Sequence, residues 1–368
     1  MISTESFSKE WIEGVAQQYG YHDKELLEKV IRAFALLETL VDAGAPLTFK
    51  GGSSILLLLK DNLNRLSIDV DVICPPDTYI LQYLNDLEKH GFLRAIPVRA
   101  EHAGKKLPAS HSKVFYEVAF SNPNSNDAFI RLDVLYEDNP YTHTIAVPID
   151  LPFLKQEGTP LMVNVPTKED ILGDKITAFG PNSIGIPYFK GVRDCSLDIM
   201  KQLFDISRLF DVVDDFTDTY ASFRKVADVE LGYRGMEGQI DRYYEDVRQT
   251  AINISTRGDI SKEEFTRLQG GIRRLESYMY QQSYYIENAT DDSAKAAYLT
   301  TCFERGVTKI EKFSPKVDVM DIPIDNLPRK IQKLRKSRPE AFYYWSKVAE
   351  MTVTGIEKCS KSGNQSAT

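Results

Sequence analysis

Residues 47–73 begin Leu47-Thr48-Phe49-Lys50-Gly51-Gly52-Ser53-Ser54, continue through the apolar run Ile55-Leu56-Leu57-Leu58-Leu59 and a polar turn, Asp61 to Arg65, and end Leu66-Ser67-Ile68-Asp69-Val70-Asp71-Val72-Ile73. The first part predicts a short extended run to Lys50, then a tight turn at Gly51-Gly52. Ser53 is placed to cap an apolar helix from Ser54 to Lys60. A helix start offers unpaired N–H groups and the positive end of a dipole, which suits phosphate. In the second part, Leu66 to Cys74, apolar and polar residues alternate, so Asp69 and Asp71 share one face of a strand with their Cα atoms roughly 6.5 Å apart. Two such carboxylates can hold one or two hard divalent cations. Taken singly, Gly-Gly-Ser is an ordinary capped turn and Asp-x-Asp an ordinary solvated face; their order and spacing make the pair specific.

Working outward, residues 5–20 and 23–43 read as helices, the second with a stripe of Leu26, Leu27, Val30, Ile31, Phe34, Leu37 and Val41 to pack on the segments after it. Tyr79 to His90 reads as a helix closed by Gly91. Leu93 to Arg99, Lys113 to Ser121 and Phe129 to Tyr136 read as strands, with a polar loop holding His102, Lys105, Lys106 and His111 between the first two. Asp133 lies inside an otherwise apolar strand, where a carboxylate is costly unless compensated. It is a third cation ligand or the partner of a neighbouring Arg or Lys. Leu161 to Val165 forms a last short strand, and Thr167-Lys168-Glu169-Asp170 a capping box for a helix from Lys168 to Phe179. Gly180 to Gly191 is a loop, Ser196 to Val212 a helix, and Thr217 to Trp345 nearly all helix with no internal repeat. The aromatic residues there, Tyr278 to Tyr285 and Tyr343 to Trp345, read as bundle core.

Composition narrows the classes. A chain of 368 residues with 42% hydrophobic and 27% charged residues is a globular protein of about two domains rather than a disordered one. The four cysteines are scattered without a nearby His cluster, which gives neither a zinc site nor a disulfide framework. No stretch of eighteen apolar residues occurs and the first residues do not resemble an export signal, so a cytoplasmic location without membrane association is expected. The net charge of −8 excludes nucleic-acid binding over the whole surface but not through a local patch. Lys330, Lys333, Arg335 and Lys336 lie in the densest basic run and are candidates for an RNA contact.

The combined wording Phe49-Lys50-Gly51-Gly52-Ser53-Ser54 and Arg65-Leu66-Ser67-Ile68-Asp69-Val70-Asp71 resembles the AbiEii-type toxins, also represented by the MenT toxins, within the nucleotidyltransferase superfamily. Many members have Thr at the position of Ser53. Two later segments carry the resemblance to about residue 212. Glu169 to Phe179 is similar to a family segment with an essential lysine, here Lys175; taken alone, that residue reads as a snorkelling surface lysine. Lys201 to Leu209 resembles the final motif, with its second acid at Asp205 and Gln202 where the first acid usually stands; Asp198 or Asp194 could do the job of that first acid instead.

The resemblance implies an α+β (α/β) fold with a nucleotidyltransferase-like mixed-sheet domain over 46–180; the residue pattern adds N-terminal helices over 1–45, an all-helical C-terminal domain over 181–355 and a flexible tail over 356–368. The resemblance also implies an NTP- and Mg²⁺-dependent (or Mn²⁺-dependent) transferase of a toxin–antitoxin, abortive-infection system. The nucleotide would go to a tRNA 3′ end, and a separately encoded antitoxin would oppose the reaction. Gly52, Ser53 and Lys175 would bind the NTP, Asp69, Asp71 and Asp133 the metal, and Asp69, Asp71, Lys175 and Asp205 would be catalytic. The alternatives are the same chemistry on a small molecule or a protein hydroxyl, and a binding protein that has lost catalysis.

Overall fold

The computed structural model describes residues 1–60, 64–84, 87–98, 108–120, 128–323 and 327–362. The loop with His102, Lys105 and Lys106, and part of the 61–65 turn, lie outside these. The chain divides into two compact units. Residues 1–171 with 276–283 form the first, and residues 172–275 with 284–368 the second.

In the first unit, α1 (Lys9–Tyr19) follows a single 3-10 turn, and Ser8 caps it by accepting from Trp11 N at 3.2 Å. The amphipathic helix α2 (Lys24–Asp42) comes next, capped by Asp23. Then come β1 (Thr48–Lys50), α3 (Gly51–Leu59), β2 (Val70–Cys74), β3 (Phe92–Val98), β4 (Ala109–Tyr116) and β5 (Phe129–Tyr136). The five strands form one mixed sheet in the order β1-β2-β5-β4-β3, in which only β2 and β5 run parallel. Alternation along β2 and β5 sends Val70, Val72, Ile130, Leu132 and Val134 into the core, where α2 packs with Leu27, Val30, Ile31 and Phe34. Each such buried side chain contributes about 1.5–3 kcal/mol. The alternate residues, Asp71, Arg131 and Asp133 among them, therefore lie on the other face. Polar residues buried in α2 bind backbone: Glu28 accepts from Ala119 N and Phe120 N, and Arg32 donates to Glu117 O at 2.6 Å.

The expected helix from Tyr79 to His90 is instead two 3-10 turns, Ile80–Tyr83 and Leu87–His90. The Pro-rich connection before residue 161 holds a strand that sequence reading missed. β6 (Thr144–Pro148) pairs antiparallel with β7 (Met162–Pro166) in a separate two-stranded sheet. At the start of α4 (Lys168–Thr177), Thr167 accepts from Asp170 N at 3.3 Å, but the Asp170 carboxylate does not complete the box. It accepts from Thr142 N at 2.7 Å and His143 N at 3.0 Å, tying the helix start to the approach of β6.

Among the described residues, the regular structure of the second unit is helical apart from the small hairpin β8 (Phe189–Lys190) and β9 (Arg193–Asp194), which lies in and just after the expected loop. Its helices are α5 (Ser196–Val212), α6 (Thr217–Arg234), α7 (Ile240–Ser255), α8 (Lys262–Leu275), α9 (Ile286–Glu304), α10 (Arg329–Ser337) and α11 (Pro339–Ser362). The last includes backbone from the expected tail over 356–368. α5 packs on α8 and α9, and α9 also packs on α7 and α11. Gly271 permits the α5–α8 approach, since a Cβ there would lie 2.4 Å from Ser196 O. Phe210, Tyr298 and Tyr344 meet edge to face or tilted at 5.3–6.2 Å, so these three are core, and Tyr284, Tyr343 and Trp345 are also buried. Of the other expected bundle-core aromatics, Tyr285 is exposed and Tyr280 packs against Tyr21 in the first unit. Among the described residues, no helix is long and apolar enough to cross a membrane.

Candidate functional site

The glycine turn is tighter than the sequence suggested. α3 begins at Gly51 itself, with Lys50 in the cap position and no side-chain cap, so Ser53 lies within the first turn. It is 1% exposed and donates to Asp69 O at 2.6 Å, fastening the helix start to the segment before β2. Gly51 has φ +77°, and a Cβ built there would lie 2.2 Å from Asp71 Oδ2. Both conditions demand glycine. A Cβ on Gly52 would lie 2.8 Å from both Arg65 Nη2 and Ser67 Oγ. The guanidinium of Arg65, 2% exposed, thus sits against the turn and donates to Leu66 O at 2.7 Å. The quoted motif contained Arg65, but no chemistry was assigned to it from the sequence.

Asp69 falls outside the regular strand, which starts one residue later, while Asp71 lies within it. The register explains the arrangement: Lys50 pairs with Asp71, Asp71 with Asp133 and Asp133 with His111, giving one row across four strands. Parallel neighbours stand about 4.8 Å apart with side chains on a common face. Asp71 and Asp133 are both half-buried. Asp133 Oδ1 lies 2.7 Å from His111 Nδ1, so its partner is a histidine rather than the Arg or Lys considered from the sequence. Sequence reading placed His111 only in a loop; the signal that could have found it was the alternation of Ser110, Ser112 and Val114 with His111, Lys113 and Phe115.

Segment 276–283 belongs to this unit and holds the motif loop. Leu66 N donates to Tyr278 O at 2.8 Å and Tyr280 N to Asn64 O at 3.2 Å. The stretch from Thr217 to Trp345, expected to be nearly all helix, is therefore interrupted here, because the chain leaves α8 to pair with residues 64–66. A hollow of about 320 Å³ beside the Thr48–Ile73 register pair is also lined by Cys74, Glu137, Asn139 and Asn164; none of Asp69, Asp71 and Asp133 lines it.

In the second unit, Lys175 is 7% exposed rather than snorkelling. Its Nζ lies 3.1 Å from Asp205 Oδ2 and 3.1 Å from Gln202 Oε1. Gln202, which stands where the motif usually has an acid, thus accepts from the lysine. Asp198 pairs with Arg193 at 2.6 Å and Asp194 with Arg274 at 2.6 Å. Burial raises the Asp194 carboxyl, but hydrogen bonds from Ser196 and Arg274 outweigh it and hold the group down at about 2. In the basic run, Lys330 pairs with Asp259 at 2.6 Å and Arg335 donates to Ile322 O, whereas Lys333 and Lys336 are exposed.

Among the described residues, no three His, Cys, Asp or Glu side chains are gathered as a ready metal cluster. The donor chemistry nonetheless fits a hard cation: Asp71 and Asp133 are adjacent carboxylates on one face, with Asp69 two residues before Asp71.

A mixed sheet with a glycine turn, a helix start and neighbouring carboxylates defines a nucleotidyltransferase-like α+β protein, followed by a helical region. The model of the family "Nucleotidyl transferase AbiEii toxin, Type IV TA system" matches residues 35–284, over half of the chain, and the chain belongs to this family. It is thus a nucleotidyltransferase of a type IV toxin–antitoxin system. No curated protein matches it. Two Helicobacter pylori crystal structures resemble it more remotely. JHP933 is 14% identical with a TM-score of 0.38, over 77% of this chain and 94% of that one. The other, provisionally described as a nucleotidyltransferase, is 15% identical with a TM-score of 0.37, over 76% and 94%.

Proposed function

We propose that the protein transfers a nucleotide from an NTP to the 3′ end of tRNA in a Mg²⁺-dependent reaction, and that an antitoxin encoded separately restrains it. The observation that carries this reading is the packing of Asp71 against Gly51 at the start of α3, in register with Asp133. Phosphoryl transfer rests on positioning and charge neutralisation more than on covalent chemistry. The amides of Gly51 and Gly52 would receive phosphate oxygens, with the Arg65 guanidinium adding positive charge behind the turn. Asp69, Asp71 and Asp133 would hold the cation, which when bound supplies further neutralisation of the triphosphate. Family resemblance gives Lys175 the same task, and Asp205, at 3.1 Å, would position it.

Asp69 is the favoured acceptor for the proton of the attacking hydroxyl. It is half-buried, whereas Asp205 is 0% exposed and already faces an ammonium. The test is incubation of purified protein with each labelled NTP, Mg²⁺ and bacterial tRNA, with Asp71→Ala alongside. Label on tRNA with the unaltered protein alone supports the proposal and names the nucleotide. Label that appears on a small molecule or a protein instead moves the acceptor, and absence of NTP binding removes the enzyme reading.

A further inference from the structure

The sheet face that carries Asp71 and Asp133 continues into a group of cations and rings. Two residues along from the His111–Asp133 pair, Lys113 stands opposite Arg131; two further on, Phe115 stands opposite Phe129, with Arg94 of β3 paired to Phe115. At about 3.3 Å per residue, these pairs lie on the order of 7 and 13 Å from the carboxylate row. The Lys113 ammonium sits 4.2 Å from the centre of the Phe129 ring and the Arg94 guanidinium 5.0 Å from that of Phe115. Arg94 and Arg131 are exposed; Lys113 and both rings are half-exposed.

The rings and the cations over them help to hold these strands together, but the placement of the charges themselves works against the sheet. Like charges directly opposite in a sheet are destabilising, and Lys113 and Arg131 are such a pair. None of the three cations forms an ion pair with a described carboxylate. Elsewhere in the acidic chain cations are commonly paired, as Lys295 is with Asp211 and Arg248 with Glu304. A fixed positive patch beside aromatic rings, on an open sheet face, has the chemistry of a platform for single-stranded RNA. Phosphates meet the cations, while a guanidinium plane held over a ring offers a surface on which a base stacks.

We propose that Arg94, Lys113 and Arg131 dock the single-stranded end of an RNA acceptor and lead it along the sheet face to the carboxylate row; the direction of travel, though not the docking itself, rests on the function proposed above. The strand's phosphates face Lys113 and Arg131, and a base lies against Arg94.

Binding of a short, labelled single-stranded oligoribonucleotide, measured without NTP at two salt concentrations, tests this apart from any transfer activity. For Lys113→Glu/Arg131→Glu the affinity should fall at least tenfold and the salt slope flatten by about 1.4, two phosphates at about 0.7 each. The milder Lys113→Gln/Arg131→Gln protein should fall in the same direction while its melting temperature stays unchanged, which separates loss of docking from loss of fold. A charge reversal of equal size on exposed residues elsewhere, Lys225→Glu/Lys309→Glu, should leave binding within about twofold. Undiminished RNA binding by both altered sheet-face proteins overturns the proposal and leaves the face to a protein partner. Equal loss in the Lys225→Glu/Lys309→Glu protein, or loss seen only with Lys333→Glu/Lys336→Glu on α10, overturns it as well.

Discussion

In the sheet unit, Asp71 and Asp133 stand half-buried on one face, with Lys113 and Arg131 opposed to each other nearby. In the helical unit, Asp205 is 0% exposed and pairs with Lys175, Asp292 is 1% exposed and accepts from both Arg208 and Tyr284, and Lys295 is 3% exposed between Asp211 and Glu340. The first arrangement leaves like charges close together where water or a ligand can reach them. The second pairs opposite charges inside packed helices, where an unpartnered ion would be costly. We read the first set as placed for the proposed transfer; the second pairs opposite charges so that the helices can pack, and the Lys175–Asp205 pair is proposed to serve both ends.

That contrast can be broken most directly at Asp71. Asp71→Asn keeps the shape and removes the charge, so nucleotide transfer should fall about 10²–10³-fold, the size of effect seen when one aligned electrostatic group is lost. Its melting temperature should stay close to that of the parent protein, since the side chain keeps its shape and lies half-buried on the sheet face away from α2. A protein that unfolds on this change would show that Asp71 belongs with the structural charges.

The opposite behaviour is expected of Asp205. Asp205→Ala leaves Lys175 buried without its carboxylate, and should cost about 3–5 kcal/mol of stability, read by chemical denaturation. The double change Lys175→Met/Asp205→Leu should regain much of that loss, because it removes both charges and leaves apolar side chains of similar branching. If Asp205→Ala retains full stability, the pair is held for catalysis alone.

Gly51 joins backbone and site. Gly51→Ala imposes a left-handed conformation costing about 1–2 kcal/mol on an L residue, and pushes a methyl group into the Asp71 carboxylate. Transfer activity should therefore fall further than stability does, a split visible by measuring both on one preparation. Loss of the two in proportion would mean that strain, rather than displacement of Asp71, is the cause.

The motif stretch made much of this arrangement legible. Phe129 to Tyr136 and Ser196 to Val212 were bounded by their periodicity alone, and the Gly-Gly turn ahead of Asp-x-Asp pointed to the carboxylate row. Three features were hidden for physical reasons. Ser53 looks like a cap in sequence, but Gly51 can enter the helix at positive φ and frees Ser53 to bind Asp69 O. The Asp133–His111 pair depends on β4 register, which sequence alternation does not fix. The return of residues 276–283 to hold Arg65 and Leu66 is a long-range pairing inside a stretch whose local pattern is helical throughout. The resemblance between Lys175 and an essential lysine was legible; its burial with Asp205 and Gln202 was not, because polar side chains among apolar ones read equally as surface positions.

Asp194 offers the mildest test, since it belongs to the helical unit yet lies near the surface. Its carboxyl is 32% exposed and its partner Arg274 is 47% exposed. It also accepts from Ser196 N at 2.9 Å at the start of α5. Because the folded group titrates at about 2, below its usual 3.8, the unfolded chain takes up the proton first as the pH falls. The stabilisation is therefore complete above the usual value and is lost as the pH drops from there towards 2. Asp194→Asn keeps an oxygen for Ser196 and loses the attraction to Arg274, so at neutral pH it should cost less than about 1 kcal/mol. Urea denaturation of the two proteins should show that gap closing as the pH is lowered towards 2, and narrowing at neutral pH as salt is added. A gap independent of both would assign the effect to the hydrogen bond at the start of α5, and would place even this exposed carboxylate among the groups whose geometry, not charge, holds the helices.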